Sequence, residues 1–250
     1  SNHASILAMI EPKPFIDYIF MNIWGGNNDW PHNNWYAIRN DSTDSPFSFY
    51  VWDPENYVFN TSANLTQVST ASSPGIVYDR LRRDLEFQVN FGDRVHQHMF
   101  NNGPYTLSNM QTLWQQVADE LEPAMNGESA RWGDEHTASS YNTVDHWLPH
   151  VAYRKNTYMP TRHDLVLSQL KAVDLYPHTP APIFSQHGGT IVADFQLSIT
   201  NPEGDGSVYY TLDGSDPRLI GGALNSSAQL YSSALSLSTS TTVKSRTQSA

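Results

Sequence analysis

Apolar positions change texture four times along the chain. Residues 15–24 (Phe-Ile-Asp-Tyr-Ile-Phe-Met-Asn-Ile-Trp) are apolar on nearly every side, which predicts a buried helix stopped by Gly25-Gly26. Residues 35–39 and 47–52 are aromatic and β-branched around a polar, proline-containing turn, which predicts a hairpin. Helical spacing then dominates. Helices are expected over 75–101 and 161–175, and between them Leu107, Met110, Leu113, Trp114, Val117 and Leu121 fall on one helix face, with Glu and Asp opposite. Beyond residue 187 the period drops to two. Residues 191–199, 207–212 and 240–245 alternate between Ser/Thr/Gly/Asn-rich turns, the pattern of a small β-sandwich.

Between the helical and the alternating regions lies Tyr176-Pro-His-Thr-Pro-Ala-Pro-Ile-Phe-Ser-Gln-His-Gly-Gly189. Proline cannot continue a helix and biases the preceding residue towards extended backbone, so this segment is expected to be a stiff linker. The chain is therefore expected to be α+β, with a mostly helical domain over 1–176, a linker over 177–186 and an all-β domain over 187–250.

Composition narrows the function. At 250 residues, 39% hydrophobic and 12% aromatic, the chain can bury a large core, and disorder is not expected over most of it. A net charge of −11 argues against nucleic acid or an anionic membrane as partner. No apolar run approaches the length of a membrane span, and Ser1-Asn2-His3 does not open a signal-peptide pattern. With no cysteine, thiolate catalysis and zinc–thiolate sites are excluded.

The chemistry centres on Asp29, Asn34 and Asp53, which follow the first helix in the order loop, hairpin, aspartate. Carboxylate and amide oxygens suit hard Mg²⁺ or Mn²⁺, and the hairpin would fold Asp53 back beside the loop. A surface turn rich in Asn and Asp is the competing reading at even weight. Glu128, Arg131 and Asp134 cluster around Trp132 as a substrate-binding or structural ion-pair group. The pairs His96/His98 and His146/His150 have metal-compatible spacing, but Pro149 interrupts the second and chance explains such pairs better. Trp24, Trp30, Trp35 and Trp52 crowd the candidate site, as core packing in preference to a stacking platform for adenine or sugar. No Gly-x-Ser-x-Gly elbow supports a serine hydrolase.

The order Asp29, Asn34, hairpin, Asp53 resembles the catalytic loop, strand pair and metal-binding aspartate of a protein kinase. More specifically, Gly25-Gly-Asn-Asn-Asp29-Trp-Pro-His-Asn-Asn34-Trp-Tyr with Phe49-Tyr-Val-Trp-Asp53 resembles the spore-coat CotH kinase family, in its bacterial secreted or surface version. Similar features continue through Glu128-Ser-Ala-Arg-Trp-Gly-Asp134 and Asp164-Leu-Val-Leu-Ser-Gln-Leu170. The resemblance implies a mostly helical kinase-like C-lobe that binds ATP with Mg²⁺ or Mn²⁺ and phosphorylates Ser or Thr on protein. In it Asp29 takes the catalytic place, and Asn34 and Asp53 are the metal ligands. Upstream of Asp29 there is one lysine, Lys13, and no glycine-rich loop before Gly25-Gly26, so the upstream lobe is expected to be missing and this chain inactive by itself. Asp53-Pro-Glu55 also replaces the usual aspartate-led triplet with a rigid one.

The alternating region resembles the small β-sandwich at the C-terminus of chitobiase and other hexosaminidases. His187-Gly-Gly-Thr-Ile-Val, Val208-Tyr-Tyr-Thr-Leu-Asp213-Gly-Ser-Asp216-Pro-Arg218 and Thr241-Thr-Val-Lys carry the likeness. It implies an immunoglobulin-like sandwich in a secreted or cell-surface bacterial protein, with the Asp213–Asp216 turn structural and not a calcium or sugar site. Three function classes stand: a kinase-like phosphotransferase fragment, a non-catalytic surface or adhesion module with a degenerate kinase-like fold, and a glycan-binding, carbohydrate-active protein.

Overall fold

A computed structural model describes residues 6, 8–68, 73–135 and 138–249, and the chain divides into two units, Ser1–Tyr176 and Pro177–Ala250. Helices dominate the first unit and small antiparallel sheets supply the rest, so the chain is α+β. Among the described residues no helix is long and apolar enough to cross a membrane.

Helix α1 (Pro12–Gly25) is the centre of the first unit. Its prolines sit in the first turn, where the missing N–H and fixed φ suit a helix start. Phe15, Ile16, Tyr18, Ile19, Phe20, Ile23 and Trp24 are all buried, on every side of the helix, and each such side chain contributes about 1.5–3 kcal/mol by leaving water. The hairpin of β1 (Trp35–Ile38) and β2 (Ser48–Val51) packs on one flank through Phe49, whose ring meets Phe15 edge-on at 5.0 Å.

The helical stretch expected over 75–101 is two helices, α2 (Pro74–Leu81) and α3 (Leu85–Met99). The break comes from Asp84, whose carboxylate accepts the Phe87 N–H at 3.0 Å and so starts a new helix instead of continuing the old one. Helix α3 buries Phe87, Phe91, Val95 and Met99, one per turn.

A polar clasp joins α1 to α3. Asp17 accepts from Arg94 Nε and pairs with His98 Nε2, both at 2.7 Å, and a second Arg94 nitrogen holds its other oxygen. Burial acts to raise the Asp17 pKa, but the hydrogen bonds and charges of His98 and Arg94 outweigh it and leave the carboxyl below its ordinary 3.8. A carboxylate whose pKa is lower in the folded state adds stability above its unfolded pKa and loses it as pH falls through the folded value. Asp17→Asn is therefore expected to lower the melting temperature at neutral pH. The gap between wild-type and variant melts should shrink as the pH is lowered through the unfolded carboxylate range and close only below the folded value.

Helix α4 (Leu107–Trp132) runs on beyond the apolar positions 107–121, through Pro123. It does not bury the whole predicted stripe. Met110 and Ala118 are buried and Trp114 is half-buried, whereas Leu113, Val117 and Leu121 face solvent. Polar contacts set the packed side: Gln111 Nε2 and Trp114 Nε1 donate to the carbonyls of Lys155 and Val151 at 2.8 and 3.1 Å, and Lys155 Nζ donates to Gln115 Oε1 at 2.8 Å. These bonds rotate the apolar stripe partly outward, a choice that periodicity cannot make.

The remaining helical path alternates α and π turns. Residues 143–147 and 154–158 are π turns, and each leads into a helix with proline in its first turn, α5 (Leu148–Tyr153) and α6 (Met159–Lys171). Proline cannot supply an i→i−4 hydrogen bond, and a widened turn accommodates its ring.

In the second unit β3 (Ile183–Phe184) pairs with β5 (Ile199–Thr200), β4 (Phe195–Leu197) with β8 (Leu235–Leu237), and β6 (Ser207–Thr211) lies between β7 (Gln229–Leu230) and β9 (Lys244–Gln248). Each of these strand pairs is antiparallel. Its core is small, built on Ile199, Val208 and Tyr210 with Phe184, Tyr231 and Leu235 against them. Strand β3 lies within the segment expected as linker, because Ile183 and Phe184 find partners in Thr200 and Ile199. The last strand is Lys244–Gln248, later than the alternation over 240–245 suggests.

Candidate functional site

The loop that carries Asp29 starts at a tightly specified helix end. Gly26 adopts φ 63°, ψ 39° and closes α1: its N–H reaches Ile23 O and the Asn27 N–H reaches Asn22 O, both at 3.2 Å. The Gly25 carbonyl accepts from the Val58 N–H at 2.8 Å and the Tyr158 hydroxyl at 3.1 Å. Asn27, buried, donates to Asn22 Oδ1 at 2.9 Å, and Trp30 Nε1 donates to the Tyr18 hydroxyl at 2.7 Å. The loop is thus anchored on both sides of Asp29.

Beneath it lies Arg162 of α6, which is 0% exposed. Its Nε donates to Trp24 O at 2.8 Å, one terminal nitrogen donates to Thr61 O and Ala63 O at 3.0 and 2.6 Å, and the other donates to Ile23 O. Carbonyls at a helix C-terminus have no partner within the helix and carry the negative end of its dipole, so a guanidinium fits them well. Burial nonetheless lowers the Arg162 pKa, opposed by the nearby Tyr158 and Tyr57 hydroxyls.

The hairpin then brings the predicted residues together. Asn34 Nδ2 donates to the backbone carbonyl of Asp53 at 2.9 Å and lies 3.4 Å from both Asp29 Oδ2 and Glu55 Oε2. The Trp52 N–H reaches Asn34 O at 3.0 Å, which closes the hairpin base. Asn34 and Asp53 both adopt left-handed backbone, φ 58° and 45°, a region that Asn and Asp tolerate better than other side chains. Asp29 is half-buried and also accepts from Asn56 Nδ2, whereas Asp53 is exposed. The result is a cluster in which the Asn34 and Asn56 amides hold the Asp29 and Glu55 carboxylates and the Asp53 main-chain carbonyl.

This donor set is all oxygen around the Asn34 amide, the kind that a hard divalent cation takes. Among the described residues, however, no group of three or more His, Cys, Asp or Glu is assembled for a metal ion. Asn34 directs its amide nitrogen, not its oxygen, at these acceptors, so a cation here would draw on the carboxylate oxygens with water or phosphate completing its shell. Glu55 and Asn56 enter the cluster through the Asp53-Pro-Glu-Asn turn, and spacing gave no reason to include Asn56.

The other candidates do not gather into a site. Glu128 and Arg131 stand exposed on α4 and Asp134 just beyond it, and Arg131 stacks over the Trp132 ring at 4.9 Å. His96 and His98 turn to different partners, the Tyr176 hydroxyl at 3.0 Å and Asp17. His146 Nδ1 accepts the Asn142 N–H at 3.2 Å, and His150 Nδ1 lies 3.1 Å from an Arg154 nitrogen. Trp24 and Trp30 are core residues. Trp52 is not: it is 62% exposed, beside Tyr36 at 39% and Tyr50 at 44%, with ring centroids 5.9 Å (Tyr36–Trp52) and 5.2 Å (Tyr36–Tyr50) apart.

In the second unit the Asp213–Asp216 turn engages its own chain. Asp213 Oδ1 accepts from the Ser215 N–H and hydroxyl at 2.9 and 2.6 Å, and Asp216 holds Arg246 through two bonds of 2.6 Å. Gly214 sits at φ 76°, where a side chain would be strained and close to Thr242. Residues 186–250 match the family profile of the chitobiase/beta-hexosaminidase C-terminal domain. Comparison with curated proteins and with solved structures gives no match. The family match covers the β-unit and leaves the helical unit to be read from its own residues.

Proposed function

We propose that the helical unit is the C-lobe of a CotH-type, kinase-like phosphotransferase and that Asp29, Asn34 and Asp53 form its nucleotide–metal site. The observation that carries this reading is the convergence of the Asp29 carboxylate, the Asn34 amide and the Asp53 main chain, from a loop and a hairpin, within 3.4 Å of one Asn34 nitrogen. In this role Asp29 orients, or takes the proton from, a Ser or Thr hydroxyl of a protein substrate. Asn34, with its amide turned, and Asp53 would hold the Mg²⁺ or Mn²⁺ that accompanies ATP. The cation supplies charge neutralisation, and the chain supplies position. The β-unit is read as an immunoglobulin-like sandwich accompanying this lobe in a secreted or surface protein of a bacterium.

Manganese binding followed by electron paramagnetic resonance tests the metal half of the assignment. Adding the chain with ATP should quench the free Mn²⁺ signal beyond what ATP does alone, and Asn34→Ala should abolish that excess. An excess that survives in the variant would move the cation elsewhere.

A second reading, a glycan-binding surface module with a degenerate kinase-like fold, is favoured by the exposed Tyr36, Tyr50 and Trp52 rings and by the family match of the β-unit. It predicts retention on chitin that Trp52→Ala reduces at least about tenfold, in line with loss of a stacked aromatic anchor. Equal retention of both proteins would remove it.

A further inference from the structure

Helix α4 carries two apolar stripes, and among the described residues only one packs against the core of its unit. The packed stripe runs through Met110, Trp114 and Ala118, fixed by the bonds of Gln111, Trp114 and Gln115 to residues 151–155. The other runs Leu113, Val117, Leu121 and on to Ala124, at spacings of four, four and three that keep one line along a helix. Its three large members are 61%, 46% and 47% exposed. Single exposed leucines need no explanation, but a continuous row on a rigid helix marks a contact surface.

The charges beside the row say what covers it. From Leu107 to Ala130 the helix holds Asp119, Glu120, Glu122 and Glu128, and its basic residue comes only at Arg131. Glu120 lies three residues after Val117, beside the apolar line, and Glu128 lies four after Ala124, at its C-terminal end. We infer that this face docks an amphipathic helix whose own apolar stripe is flanked by Lys or Arg. A second copy of this chain is the poorer occupant, because pairing two such faces sets carboxylates against carboxylates. The partner is thus recognised by leucine-like side chains seated along Leu113, Val117 and Leu121 and by cations meeting Glu120 and Glu128.

Fluorescence polarisation with labelled peptides of about five helical turns tests the inference on the full chain. One peptide carries leucine at helical spacing with lysine between, and the other has glutamate for every lysine. The lysine peptide should bind and the glutamate peptide should not. Leu113→Gln/Leu121→Gln should weaken binding at least about tenfold, as loss of central apolar anchors does, and Glu120→Lys/Glu128→Lys should weaken it too. All four positions are exposed, so circular dichroism should show the helices intact. Absence of lysine-peptide binding, equal binding by the Gln variant, or equal binding of both peptides would overturn the proposal. So would a dimer in sedimentation equilibrium that the Gln variant abolishes, which would assign the face to a second copy.

Discussion

Replacing Arg162 by Met should lower the stability of the helical unit by at least about 3 kcal/mol, since each buried acceptor left without a donor costs about 1–3 kcal/mol. The guanidinium is bonded to the Trp24, Thr61 and Ala63 carbonyls and shares the Ile23 carbonyl with the Gly26 N–H. Methionine fills much of the volume, so the loss isolates the hydrogen bonds from the cavity. In a unit of this size the change corresponds to a fall in melting temperature of roughly 6–12 °C. Arg162→Lys should do little better, because a point charge with three donors cannot span carbonyls from two segments. Thermal melts followed by circular dichroism decide it. A melting temperature within about 2 °C of wild type, less than 1 kcal/mol in a unit of this size, would show that water replaces the guanidinium without loss.

Gly25→Ala should have the second largest effect, and it reaches the candidate site. A Cβ at Gly25 would lie inside the Tyr57 ring, whose hydroxyl donates to Met21 O. Tyr57 follows the Asp53–Asn56 turn directly, and Val58, held at φ 58° by its bond to Gly25 O, comes next. Overpacking here is expected to cost about 1–3 kcal/mol. It should also displace Glu55 and Asn56 from Asp29. Tyr57→Ala makes room, so Gly25→Ala added to that background should cost clearly less than in the wild type, a coupling read from a double-mutant cycle of melts. Additive effects of the two substitutions would contradict the contact.

Much of this arrangement was legible in the chain. The helix before Gly25-Gly26 and the hairpin after Asn34 follow from local pattern, because an all-round apolar run and an aromatic strand pair have few other solutions. The meeting of Asp29 with Asn34 follows from the tight loop between them. What pattern missed depends on distant partners. Arg162 is 138 residues from the Trp24 carbonyl it holds, and nothing in its own neighbourhood marks it as buried. Asn56 enters through the turn after Asp53, and the outward rotation of Leu113, Val117 and Leu121 is set by Lys155 and Val151. The break at Asp84 was readable as a helix cap, but the strong apolar periodicity on either side obscured it.

Calorimetric titration of Mn²⁺-ATP into the chain, beside its Asp53→Ala variant, tests the central claim most directly. Asp53 is exposed, so the variant should stay folded and lose only the roughly 1 kcal/mol that alanine costs at φ 45°. The account predicts saturable heat that requires Mn²⁺ and vanishes in the variant. No heat with the wild-type chain, or the same heat from both proteins, would contradict a nucleotide–metal site at Asp29, Asn34 and Asp53.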